Sequence, residues 1–160
     1  MTPSSLKPQS VSAHEVALTA RMERLLCLLS QSVVRPSFER CCQDANQFFD
    51  SFYFLLCSTE PRIGTLFAQV DMRQQNQLIR SGVEHLLWFA EGSLEAKAKL
   101  RRLGRSHSRE GLQIEPQLYD TWVNTVIECV REHDPETSEA VESAWREVME
   151  PGIELMKSLY

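Results

Sequence analysis

The sequence predicts an all-α domain, on three observations. Apolar residues recur at spacings of three and four through most of its length. Helix-start signals, with Ser, Asp or Pro at the cap or first turn, precede those stretches. No segment alternates apolar and polar residues as a half-buried strand does, and neither an internal repeat nor a glycine-rich phosphate loop is present. The 160 residues suffice for one filled core and are short for two.

The elements follow in chain order. Residues 1–11 combine Pro, Ser and Thr with little apolar content and are expected to be mobile. Ser12 and Glu15 form a capping box, after which Leu18, Met22, Leu25, Leu26, Leu29 and Val33 keep helical spacing up to Pro36, where the helix is expected to end. That stripe either packs on its own domain or meets a partner. A short helix is expected from Ser37 to about Cys42. After Asp44, Phe49, Phe52, Tyr53 and Leu56 share one helical face that Phe48 and Leu55 widen, so this helix should be buried on more than one side. It stops before Pro61, and Arg62 to Phe67 reads as a brief helical turn. Asp71 caps the next helix, whose face Met72, Gln75, Ile79, Val83, Leu86, Leu87 and Ala90 has Gln75 as its single polar member. That glutamine bonds nearby backbone, lies at a rim, or faces something polar in a cavity. Pro116 opens a helix with Leu118, Trp122, Val126, Cys129 and Val130 inward; Ser138 caps the last one, which Pro151 should kink. Seven or eight helices result.

Composition narrows the function classes. Net charge is −5 and the cations are scattered apart from Lys97, Lys99, Arg101, Arg102 and Arg105, a solvated helix face rather than a nucleic-acid footprint. No apolar run reaches membrane-spanning length and the first residues lack a secretory plan, so a soluble cytoplasmic protein is expected, with no nucleic-acid or membrane partner. Five cysteines, an odd number, show neither zinc spacing nor a C-x-x-C-H attachment motif. They read as small apolar filler, and a redox role for adjacent Cys41 and Cys42 has nothing to support it.

The candidate functional residue is His107. Leu100, Leu103 and His107 fall at i, i+3 and i+7, so the imidazole ends an apolar helical stripe. Two readings stay open: a half-buried ring bonded to a backbone carbonyl, or a neutral ring whose nitrogen ligates a buried iron.

In order, the segments FERC, FYFLL with EPRIGTLF, DMRQQNQLI, LRRLGRSHSREGL, PQLYDTW and AWREVMEPGIELM resemble bacterial globins, especially the single-domain and sensor-type members. The resemblance runs from about Phe38 to Tyr160. It implies a globin fold, a three-over-three helical sandwich with an extra N-terminal helix. It also implies a division into residues 1–36, a mobile start plus that helix, and a globin domain over 37–160. It further implies haem b, held without covalent bonds. His107 takes the place of the proximal iron ligand and Leu103 that of the leucine beneath the haem; Phe67 matches the phenylalanine wedged against the porphyrin. Tyr53 and Gln75 match the distal donors, with Gln74 and Gln77 as register alternatives, and Ile79 the apolar residue over the iron. Trp122 joins the cofactor-binding set.

The activity so implied is reversible binding of dioxygen, with nitric oxide and carbon monoxide as further ligands, for gas binding, scavenging or sensing. No catalytic residue is assigned. Two alternatives accompany it: nitric oxide dioxygenation with a reductase supplied in trans, and a haem-free interaction module. A homodimer through the last two helices or through the N-terminal helix is expected.

Overall fold

A computed structural model describes residues 12–67 and 71–160, leaving aside the side chains of His14, Leu66, Phe67 and Met72. The expected mobility of residues 1–11 therefore lies outside the described residues. The helices are α1 (Ala13–Cys41), α2 (Ala45–Thr59), α3 (Pro61–Phe67), α4 (Met72–Ala90), α5 (Leu94–His107), α6 (Pro116–His133) and α7 (Glu139–Lys157), with a 3-10 turn at Cys42–Asp44 after α1. Among the described residues no strand occurs, and no helix is long and apolar enough to cross a membrane.

Local chemistry sets most of the boundaries. The Ser12–Glu15 capping box is formed in both directions, at 2.8 Å and 3.2 Å. Asp44, Asp71, Ser93 and Ser138 each accept a free backbone N–H in the first turn of α2, α4, α5 and α7. Pro116 begins α6, where its missing donor costs no hydrogen bond. Between α4 and α5 the chain reverses at Gly92, whose φ of 92° is a conformation that a side chain disfavours, and Ser93 N–H returns to Trp88 O at 2.9 Å.

One boundary departs from expectation. The helix expected to end before Pro36 and the short helix expected from Ser37 are a single element, α1, which runs through the proline. The reason is tertiary. Pro36 is exposed, so its ring and the backbone carbonyl it frees face solvent, while the residues around it are anchored. Val34 is buried, Arg35 pairs with Glu91, and Ser37 Oγ donates to Asp134 Oδ2 at 2.5 Å. The 36/37 division thus falls inside one helix.

The helices form two layers, α1, α4 and α5 over α2, α6 and α7, with α7 touching every member of the first layer. Phe48, Phe49, Phe52 and Leu56 of α2 are fully buried against α6, and Trp145, Val148 and Met149 of α7 fill the centre. Gly104 brings α5 down onto α7: a Cβ there would meet Leu159 Cδ1 at 2.8 Å and the Met156 backbone at 3.2 Å. A buried polar chain ties the ends of three helices together. Trp145 Nε1 donates to Ser37 Oγ at 2.9 Å, Ser37 donates to Asp134, and Arg40 grips Asp134 with two hydrogen bonds of 2.6 Å and 2.9 Å. Burial alone would raise the Asp134 carboxyl, but hydrogen bonds from Arg40, Ser37 and the Glu136 N–H outweigh it and hold it below the usual carboxylate value.

The cysteines are free. Burial pushes the Cys41 and Cys129 thiols up to about 12 and Cys42 to about 11, which keeps them protonated and inert at neutral pH.

Candidate functional site

His107 is the last residue of α5 and Tyr119 lies one turn into α6, across the connecting loop. That loop is pinned by backbone hydrogen bonds, Leu112 N–H to Ser106 O at 2.8 Å and Ile114 N–H to His107 O at 2.9 Å. The pinning brings His107 Nδ1 to 3.1 Å from Tyr119 Oη. Burial lowers the imidazole's pKa, so the ring is neutral at pH 7, and burial raises the Tyr119 phenol to about 12, so it too stays protonated. A neutral imidazole has one N–H and one lone pair. When Nδ1–H donates to the phenol oxygen, the lone pair is on Nε2, which has no hydrogen-bond partner among the described residues. The backbone-carbonyl partner considered for this ring is thus replaced by a phenol.

Leu103 lies one turn before His107 and is 36% exposed, although α5 is otherwise seated on α4 and α7. An apolar side chain that stays partly open beside an imidazole is a surface suited to a flat apolar group.

A second constellation joins α2 to α4. Tyr53 is buried, and its hydroxyl donates to Gln75 Oε1 at 3.1 Å. Burial raises its phenol well above the usual range. Gln74 and Gln77 are exposed, so Gln75 is the glutamine of the three that meets Tyr53. Ile79, one turn on, packs at the edge of the core. Phe52 bridges toward α6, edge-on to Tyr53 and to Trp122 with ring centroids 5.7 Å apart in both pairs. Tyr119 and Trp122 are i, i+3 neighbours, so α6 carries groups that touch both constellations. Phe67 ends α3, and its side chain lies outside the described residues. His85 is held within its own helix, Nδ1 against Ser81 O and the ring edge-on to Trp88 at 5.1 Å.

Tyr119 is the site residue that sequence reasoning missed. Its signal was present, since it shares a helical face with Trp122 and Val126, but only the fold brings position 107 to it.

No protein-family model matches the chain, and no curated protein matches it. A solved structure does. A crystal structure of a protein from Pseudomonas aeruginosa PAO1, described as structurally highly homologous to a human hemoglobin, is 40% identical to this chain with a TM-score of 0.77. The match covers 82% of this chain and 98% of that one. With the all-helical architecture above, this likeness shows that the chain belongs to the globin family.

Proposed function

We propose that this globin binds haem b non-covalently, with His107 Nε2 as the protein's ligand to iron, and reversibly binds dioxygen, with nitric oxide and carbon monoxide as further ligands. The observation that carries the reading is the His107–Tyr119 hydrogen bond, which favours a neutral ring with its lone pair on Nε2. The donor set agrees. Among the described residues no cluster of three or more His, Cys, Asp or Glu side chains is placed to hold a bare ion. A single imidazole suits iron whose equatorial ligands are a porphyrin's own nitrogens.

When bound, haem supplies the ferrous iron at which a diatomic gas is taken up. The chain's residues do the rest. Leu103 and His107 present one face to the cofactor, with Ile79 and Trp122 as the apolar lining. Tyr53 orients the Gln75 amide through Oε1, leaving the NH2 end as a donor toward partial negative charge on a gas ligand. Such a preset donor stabilises the ligand with little reorganisation.

The deciding experiment is an absorption titration of purified apoprotein with hemin, followed through the ferric, ferrous and carbon monoxide forms. A Soret band saturating at one haem per chain is expected, and its absence would overturn the proposal. In the same preparation Tyr53→Phe should speed dioxygen release several-fold to about tenfold, the effect of losing roughly 1 kcal/mol of hydrogen bonding. Stopped-flow release rates equal to wild type would remove Tyr53 from the site.

A further inference from the structure

From Ala13 to Leu26 every described side chain of α1 is exposed, so the front of the helix stands clear of the body of the molecule. The helix meets the body only further on: Gln31 Nε2 donates to Ala90 O at 2.7 Å, Ser30 Oγ donates to Glu147 Oε2 at 2.7 Å, and Val34 is buried. Roughly opposite lies the amphipathic stripe Leu18, Met22, Leu25, Leu26, Leu29 and Val33. At 100° per residue these six side chains fall in a sector about 100° wide, the width of a core-facing stripe. Yet each is 38% to 63% exposed, so the stripe faces away from the core.

Three occupants are conceivable, and the chemistry favours one. Glu15, Arg21, Glu23 and Arg24 give this segment no net charge, whereas a membrane-surface helix carries a cationic face beside its apolar one. An unrelated protein finds no charge pattern here to recognise. A second copy of this chain does find a complement. The spacing of positions 18, 22, 25 and 29 is four, three, four, and it superposes on itself when reversed end for end. In an antiparallel pair Leu18 therefore faces Leu29 of the second copy and Met22 faces Leu25, the self-complementarity that two-fold symmetry requires. The six side chains leave roughly 600 Å² open per copy. Full burial of all six would bring the total to at most about 1,200 Å², the lower edge of the range of specific interfaces.

The outer surface of α6 and α7 offers no rival. Among the described residues neither helix exposes a large apolar side chain, and the groove between them is lined by Asp120, Asn124, Arg146, Glu147 and Lys157 among others.

We propose that the chain forms a symmetric homodimer in which the Leu18–Val33 stripe of α1 packs antiparallel against the same stripe of a second copy. Sedimentation equilibrium on the full chain is expected to give the dimer mass at micromolar concentration. Leu18→Glu and Leu29→Lys should each shift the mass to that of a monomer. Because both positions are exposed in the single chain, circular dichroism should stay unchanged. The double variant Leu18→Glu/Leu29→Lys sets Glu opposite Lys twice in the antiparallel pair and should recover the dimer. In a parallel pair it sets like charges together and should not.

A monomeric wild type, or single variants that remain dimeric, overturns the proposal, and a double variant that stays monomeric overturns the antiparallel pairing. A wild-type monomer that floats with phosphatidylglycerol vesicles assigns the stripe to lipid. One that dimerises only after residues 1–11 are removed assigns it to the chain's own N-terminus. Either result also overturns the proposal.

Discussion

Replacing His107 by alanine is expected to abolish haem retention through gel filtration while leaving the helical circular dichroism intact. The imidazole is half-buried at the end of α5, and its backbone carbonyl, which accepts from Ile114 N–H, survives the substitution. The fold therefore loses about 1 kcal/mol, the worth of one hydrogen bond to Tyr119, whereas haem bound as proposed would lose its ligand from the protein. Free imidazole added to the variant should restore a Soret band, because it can fill the vacated space. Tyr119→Phe should keep the band but weaken haem affinity by about 10-fold or more, the usual effect of removing a partner that orients a ligating histidine. A His107→Ala protein that holds haem as firmly as wild type would exclude this residue as the ligand.

The largest stability effect is expected at Asp134. Asp134→Asn takes the buried carboxylate from Arg40, which keeps only the exposed Glu136 at 3.2 Å, and disrupts the acceptor for Ser37, which in turn holds Trp145 Nε1. Breaking a buried pair of this kind costs about 3 kcal/mol or more, measurable as a lower urea midpoint at constant slope. The sign of the pH dependence follows from the depressed carboxyl. Its stabilisation is complete above the unfolded-state value, about 3.9, and is lost as pH falls through the lower folded-state value. The stability gap between wild type and Asp134→Asn should therefore narrow below about pH 4. By contrast, removing the exposed Arg131–Glu142 pair should leave the urea midpoint nearly unchanged.

What was legible in the sequence was what short-range chemistry decides. The Ser12–Glu15 box, the Asp71 and Ser138 caps and the Pro116 start are each settled within four residues, and the structure places them where the pattern did. The aromatic face of α2 was legible because burial follows periodicity. Pro36 shows the limit. The rule that a helix ends before proline is local, and anchors near it in space but distant in sequence, at Asp134 and Glu91, override it. At the candidate site the resemblance placed Tyr53 and a nearby glutamine on one side of the cofactor, but their hydrogen bond, and the choice among Gln74, Gln75 and Gln77, required the register of α4 on α2. Tyr119 went unread because its importance lies in meeting His107 across a turn, which no periodicity encodes. The stripe of α1 was visible from spacing alone, but which way it faces was not.

The sealed thiols provide an internal clock for this protein. Burial holds the Cys41 and Cys129 thiols protonated at pH 7 and shields them from solvent. An alkylating reagent then reacts at these sites only when a helix lifts away. Mass-spectrometric labelling of two native atoms thus times the opening of α1 and α6 without any engineered probe.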